Sequence, residues 1–194
     1  MDIAAYFHEL GEALAALPHA PIEAMLDILQ QARLEGRTIF IVGNGGSAST
    51  ASHFACDLGK NTVMPGVPRF RVTALTDNME VFSALANDLG YENVFAEQLA
   101  NLLHPGDVVI AISTSGNSPN VLKAVEFART QGATTIGWTG QGGGRLADLV
   151  DLLIAVPSTR IEQVENAHLI LHHLVTIRMR ELSHALAAAV TQLS

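Results

Sequence analysis

The sequence of 194 residues contains one cysteine, Cys56, and few charged side chains. A single cysteine excludes an intramolecular disulfide framework and a cysteine-based zinc cluster. Charged residues make up 15% of the chain, where about 25% is typical of soluble domains. The formal net charge is −8. Because nucleic-acid binding requires a dense basic surface, this composition predicts no nucleic acid partner.

Long apolar runs are also missing. None approaches the roughly 20 residues that a membrane-spanning helix requires, and the first residues lack the basic and apolar regions of a signal peptide. We therefore expect a cytoplasmic protein with no membrane partner. Hydrophobic residues nevertheless make up 48% of the chain. So much apolar surface must be buried that we expect contacts with further subunits of the same kind.

Short apolar runs alternate with helical patterns along most of the sequence. This alternation predicts an α/β fold, a three-layer sandwich in which helices flank a five-stranded, mainly parallel sheet. The predicted strands are 38–42, 70–75, 107–112, 134–138 and 152–156. The predicted helices are 3–17, 22–34, 48–58, 79–86, 92–103, 119–131 and 161–190. We interpret residues 1–194 as one domain, with N-terminal helices in 1–36 and the α/β core in 37–194.

Two polar loops follow apolar strands directly and precede helices. The first loop is Gly-Asn-Gly-Gly-Ser at 43–47, and the second loop is Ser-Thr-Ser-Gly-Asn-Ser at 113–118. Hydroxyl groups, a flexible glycine and the free N–H groups of a helix start suit a phosphate group. In parallel sheets, ligands bind beyond the carboxyl ends of the strands. The two loops therefore predict a phosphorylated ligand.

The loops do not fit two common nucleotide-binding motifs. Neither matches the Walker pattern, which argues against an ATPase. The first loop has Ala48 where a dinucleotide-binding fingerprint has its third glycine. A nicotinamide-dependent enzyme is therefore disfavoured.

Two stretches of sequence could supply acid–base chemistry or metal ligands. His53 and Asp57 are four residues apart, so they share a helix face, and such a pair can bind a divalent metal. On the last helix, spacing favours Glu165 together with His168 and His172. His173 lies about 80° around the helix from Glu165 and can still reach inward. Periodicity alone does not choose between His172 and His173.

Taken together, the loops, the strand order and the terminal helix resemble the sugar isomerase (SIS) domain family, whose fold is flavodoxin-like. Length and motif spacing are most similar to those of its phosphoheptose isomerases. These homotetramers interconvert sedoheptulose 7-phosphate and D-glycero-D-manno-heptose 7-phosphate through an enediol. The resemblance implies a substrate site, which comprises Asn44, Gly45, Gly46, Asp57, Asn87, Asp88, Ser113, Thr114, Ser115, Ser118 and Glu165.

The resemblance also implies a zinc ion bound by His53, Asp57, Glu165 and His173, with Asp57 and His173 transferring protons. Two positions depart from the family pattern, because Asp57 replaces a glutamate and Glu165 replaces a glutamine. The shorter carboxylate could cost activity, since a misplacement of about 1 Å can slow a reaction on the order of 100-fold. Two carboxylates and two histidines would form a charge-neutral site with a divalent cation.

Two alternatives of other classes remain open at this point. Some relatives of the phosphoheptose isomerases are non-catalytic and regulate replication by binding the initiator protein. Others are sugar-sensing regulators, which usually carry a DNA-binding domain. The presence of His53, Asp57 and His173 favours the enzyme. The start of the first strand near Thr38 leaves little room for a DNA-binding domain.

Overall fold

The computed structural model of the chain describes residues 2–193, with side chains described for 2–189. Five strands run in chain order as β1 Thr38–Gly43, β2 Arg71–Ala74, β3 Val108–Ile112, β4 Thr134–Thr139 and β5 Leu152–Ala155. The helices are α1 Ile3–Ala15, α2 His19–Leu34, α3 Gly46–Asn61, α4 Met79–Leu89, α5 Val94–Leu102, α6 Pro119–Thr130 and α7 Ile161–Leu193. Short 3₁₀ turns occur at Tyr91–Asn93 and Gly144–Asp148.

The strands form one sheet in the order β2-β1-β3-β4-β5, and every neighbouring pair is parallel. The predicted five-stranded α/β fold is confirmed. Chain order reverses between β1 and β3, where Gly43 lies opposite Ile112 at the carboxyl ends of the two strands. Crevices at such reversal points are the usual ligand sites of parallel sheets.

Strand side chains alternate between the two faces of the sheet, and each face has its own apolar layer. Ile39 and Ile41 of β1 pack with α2, α3 and α7, while Phe40 and Val42 pack with α5 and α6. Trp138 of β4 is fully buried in the first layer and stacks on Phe54 of α3, with ring centroids 5.4 Å apart. The three-layer arrangement thus fixes α3 and α7 side by side on one face.

Several helix ends differ from the predicted ones. α2 begins at His19, so Pro21 lies inside its first turn rather than before it. Proline is tolerated there because the first-turn N–H groups have no partner within the helix. α3 begins at Gly46, within the first loop, and α4 continues through Asn87 and Asp88 to Leu89.

Candidate functional site

The two polar loops lie against each other at the sheet's reversal point. β1 leads into the first loop and β3 into the second, and the two strands pair directly. A pair of side-chain hydrogen bonds joins Asn44 of the first loop to Asn120, just after the second loop, at 2.9 and 2.8 Å. The loops therefore form one surface, as a ligand that contacts both would require.

The second loop presents hydroxyl groups from a bent backbone. Ser113 and Ser118 approach each other with their Oγ atoms 3.2 Å apart, which closes the loop at its base. Ser115 is exposed, and Thr114 and Ser118 are half-buried. Thr114 and Ser115 line a cavity of about 240 Å³. These hydroxyls and the start of α6 suit an anionic group.

The bend of the second loop depends on Gly116. Its φ is +63°, a left-handed conformation that favours glycine. A Cβ at this position would lie 2.6 Å from the carbonyl carbon of Gly143. The backbone N–H of Leu146 also donates to the oxygen of Gly116 at 2.9 Å. The glycine-rich segment before β5 thus supports the loop from behind.

In the first loop, Gly45 turns the chain into α3 with a φ of +54°. Gly46 follows as the first residue of the helix, and a Cβ there would lie 2.7 Å from the carboxyl carbon of Glu165. Glu165 of α7 therefore lies against the amino end of α3. A carboxylate at this end is favourable because the helix dipole leaves partial positive charge there.

The side chain of Asn44 has most of its hydrogen-bonding capacity occupied. Its Oδ1 accepts from Asn120 Nδ2 at 2.8 Å and from the Tyr91 hydroxyl at 2.8 Å, while its Nδ2 donates to Asn120 Oδ1 at 2.9 Å. An amide oxygen has two lone pairs and an amide nitrogen two hydrogens. Asn44 can therefore offer a ligand one N–H donor, directed at an oxygen acceptor.

Four titratable side chains of α3 and α7 cluster two helical turns beyond the first loop. The cluster comprises His53, Asp57, His172 and His173, and their ligand atoms all lie within 4.8 Å of one another. Asp57 is at the centre, with its Oδ2 3.5 Å from His53 Nε2, 3.6 Å from His172 Nε2 and 3.9 Å from His173 Nε2. At 1.5 Å of rise per residue, His53 is about 10 Å along α3 from Gly46.

His172 is fully buried, and neither ring nitrogen has a hydrogen-bond partner. Burial, together with the neighbouring His173 and His53, lowers the pKa of His172 to about 4. The ring is therefore neutral at neutral pH and keeps a free lone pair. Buried polar atoms without hydrogen-bond partners destabilise the fold. A metal ion bound to the unprotonated ring nitrogen of His172 would give that atom a partner.

The cluster's donors fit a zinc ion. Histidine nitrogens and a carboxylate are standard zinc ligands at about 2.0–2.2 Å, which places neighbouring ligand atoms of a tetrahedral site about 3.4 Å apart. The contacts of Asp57 with His53 and His172 are close to that separation. Asn61 Nδ2 donates to the other carboxylate oxygen of Asp57 at 3.0 Å, which orients the group.

The structure brings together three of the four side chains in the predicted zinc site. His53, Asp57 and His173 are in the cluster, and the fourth member is His172. Glu165 lies two turns earlier on α7, against Gly46. The cluster thus holds one carboxylate where the prediction has two.

Asn87 and Asp88 lie on the last turn of α4, where both side chains are exposed. Asn87 Nδ2 donates to Asp88 Oδ1 at 2.7 Å. Their contact with a sugar stays a prediction, as do the roles assigned to the other site residues.

Sequence reasoning missed two residues of the loop region, Asn120 and Tyr91. Asn120 is 1% exposed, and the sequence around it gave no signal of its partner 76 positions away. Tyr91 had no signal, because its contact with Asn44 joins residues 47 positions apart. The helical periodicity of α7 predicts an inward-facing histidine at 172 or 173 and does not choose between the two.

The fold and the two loops define a class of α/β proteins with a ligand crevice where the strand order reverses, and comparison with known sequences identifies the family. The SIS domain profile matches residues 4–140, and the chain belongs to this family. A phosphoheptose isomerase of Rhodospirillum rubrum is 40% identical over 87% of this chain and 87% of its own length. A phosphoheptose isomerase of Nitratidesulfovibrio vulgaris is 44% identical over 72% of this chain and 67% of its own length.

Solved structures give the same relationship. A phosphoheptose isomerase of Neisseria gonorrhoeae superimposes with a TM-score of 0.85 at 31% identity, covering 92% of this chain and 97% of the other. One of Francisella tularensis gives a TM-score of 0.86 at 30% identity, covering 92% and 96%. Among the described residues, no helix is both long and apolar enough to cross a membrane.

Proposed function

We propose that this chain is a phosphoheptose isomerase, which interconverts sedoheptulose 7-phosphate and D-glycero-D-manno-heptose 7-phosphate. The observation that carries the proposal is the cluster of Asp57 with three histidines, placed about 10 Å along α3 from the two joined loops. An aldose–ketose isomerase requires a phosphate anchor at one end of its substrate and proton transfer at the other. The phosphoheptose isomerase relatives support the choice of substrate.

The second loop would hold the phosphate. The hydroxyls of Ser113, Thr114, Ser115 and Ser118 and the N–H groups at the start of α6 donate to its oxygens. The first loop, through Asn44, Gly45 and Gly46, would direct the sugar chain toward the cluster. Glu165 lies beside Gly46 and would accept from a sugar hydroxyl. Asn87 and Asp88 supply further polar groups for the sugar.

The reaction moves one proton between adjacent carbons. Asp57 removes a proton from the carbon beside the carbonyl, the electron pair forms the enediol, and the proton is returned to the neighbouring carbon. His173 transfers a second proton, that of the hydroxyl group, from one of the two oxygens to the other. His173 and Asp57 have their polar atoms 3.9 Å apart, so both can reach the same enediol.

A divalent metal, proposed to be zinc, would be held by His53, Asp57 and His173, with His172 or Glu165 as the fourth ligand. When bound, zinc acts as a Lewis acid on substrate oxygens. His172 offers a neutral, partnerless ring nitrogen inside the cluster. Glu165 is the ligand that the family resemblance indicates. With Glu165 and Asp57 as ligands, the two carboxylates would balance the charge of the divalent ion.

We also propose that the protein is a cytoplasmic homotetramer. Exposed apolar side chains on α7 support subunit contacts, since Leu169, Ile170, Leu174 and Ile177 are each 38–43% exposed. Multi-angle light scattering of the purified protein tests the tetramer, and a monomer would contradict it. Among the described residues, no observation favours the alternative of a non-catalytic replication regulator.

The test of function is incubation with sedoheptulose 7-phosphate, with and without zinc, while aldose product is followed. Asp57→Asn and His173→Ala should each lower kcat about 100-fold or more, because positioned acid–base groups contribute at least that much. His8→Ala is the matched control, since His8 is 75% exposed and lies on α1. Turnover that survives both substitutions would reject these roles for Asp57 and His173.

A further inference from the structure

Asn120 is buried next to the proposed site, yet it belongs to neither loop. It is the second residue of α6 and is 1% exposed. Its amide spans the gap to Asn44 with hydrogen bonds in both directions, at 2.8 and 2.9 Å. A buried amide paired this way holds two backbone segments at a fixed separation, because moving either one leaves polar atoms without partners.

One backbone group fixes the orientation of the whole network. The N–H of Val121 donates to Asn120 Oδ1 at 3.0 Å, so the oxygen of that amide must face the helix start. Asn120 Nδ2 must then face Asn44 Oδ1, and Asn44 Nδ2 must face Asn120 Oδ1. The Tyr91 hydroxyl near Asn44 Oδ1 is consequently a donor.

The same helix also holds the turn that carries Tyr91. Lys123 Nζ, one turn after Asn120, donates to Asn93 Oδ1 at 2.9 Å and lies 3.8 Å from Glu92. The first loop is therefore attached to α6 twice, directly through Asn120 and indirectly through Tyr91. α6 begins at the second loop, so both attachments tie the first loop to the second.

We propose that Asn120 is a positioning residue, which acts through Asn44 to hold the first loop in register with the phosphate-binding second loop. Its kinetic consequence rests on the proposed isomerase function. The phosphate is bound on one loop and the sugar is directed to the acid–base cluster by the other. A shift between them misaligns the reacting carbons while leaving the phosphate contacts in place.

The central variant is Asn120→Asp, which keeps the size of the side chain and the acceptor for Val121. It replaces the donor to Asn44 Oδ1 with a second oxygen, so one of the two hydrogen bonds between the side chains is lost and two acceptor oxygens face each other. We expect kcat to fall about 10- to 100-fold, because misplacement of about 1 Å costs that much. The inhibition constant for inorganic phosphate is measured in Asn44→Ala, which adds no charge beside the second loop, and should change less than about threefold. Asn101→Asp, on the exposed surface of α5, is the matched control.

Coupling through Asn44 is tested by a double-mutant cycle. Asn44→Ala should lose at least as much kcat as Asn120→Asp, because it also removes the N–H that Asn44 offers the ligand, and the double variant should lose no more than Asn44→Ala alone. Tyr91→Phe removes only a hydroxyl from a half-exposed side chain and should lower kcat about threefold, with no further loss beside Asn44→Ala. Independent, multiplying losses would overturn the proposal, as would an unchanged kcat in Asn120→Asp.

Amide hydrogen exchange provides a readout that does not need turnover. Ala48 and Ser49 donate to Gly45 at 3.0 and 3.1 Å at the end of the first loop. Asn120→Asp should speed their exchange about tenfold or more beyond the increase that its lower global stability, measured by urea unfolding, accounts for. Unchanged exchange refutes the positioning role. Absence of turnover in the wild-type protein refutes the isomerase function instead, and the exchange result still decides the role of Asn120.

Discussion

His168 should make the stability of this protein depend on pH in a predictable window. The side chain is 1% exposed in the first apolar layer, and burial lowers its pKa to about 4 from an ordinary value of 6.5. The folded protein therefore keeps the ring neutral, while the unfolded chain binds a proton below pH 6.5. The contribution of His168 to the free energy of unfolding is fully present above pH 6.5 and is lost as the pH falls toward 4. The pKa of His168 differs by about 2.5 between the unfolded and the folded protein, which corresponds to about 3 kcal/mol of unfolding free energy in total.

Between pH 7 and pH 5, this single group should remove about 2 kcal/mol of unfolding free energy. The measurement is urea unfolding of the metal-free protein at several pH values, for wild type and His168→Gln. A glutamine amide can replace the contact between His168 Nε2 and Thr139 O, 3.3 Å in length, without titrating. Other groups, His172 included, titrate in both proteins, so the difference isolates His168. If the unfolding free energies of wild type and His168→Gln change with pH in parallel, His168 is not the cause of the pH dependence.

Three further outcomes follow from the structure. Gly116→Ala should lower affinity for inorganic phosphate at least about 10-fold, because the left-handed φ of +63° and the contact with Gly143 would displace the second loop. Isothermal titration measures this affinity, and Gly36→Ala is the control, since Gly36 has a φ of +68° and open space around it, at the end of α2. Arg33→Ala should lower the melting temperature by about 5–10 °C, since the buried guanidinium donates to Pro68 O at 2.6 Å and Ser183 Oγ at 2.8 Å. Chelation of divalent metal should abolish turnover, with recovery on zinc addition but not magnesium, as assayed after dialysis.

Strand positions were the most predictable part of the structure. β1 was predicted over 38–42 and is observed as Thr38–Gly43, because an apolar β-branched run bounded by glycine has few other structures available. Helix starts were less predictable. The first turn of a helix tolerates residues that stop its interior, so Pro21 gave a false boundary for α2.

The candidate site was predictable where a motif is local in sequence and not where it depends on packing. His53 and Asp57 share a helix face, and their pairing followed from spacing. The choice between His172 and His173 depended on how α7 rotates against α3, and both rings contact Asp57. Asn120 could not be assigned, since its partner lies 76 residues away.

The helices that carry the cluster are also the helices that close one face of the core. On α3, His53 is followed by the fully buried Phe54, and on α7 the cluster residue His172 follows the buried Leu171. The rings of Phe54 and His172 are 5.8 Å apart, so the apolar layer directly contacts the proposed ligand set. Because close-packed interiors transmit strain, a change in core volume at Phe54 alters the geometry of the cluster as well as the stability of the fold. The separation between the histidines is therefore set by the same packing that holds α3 against α7.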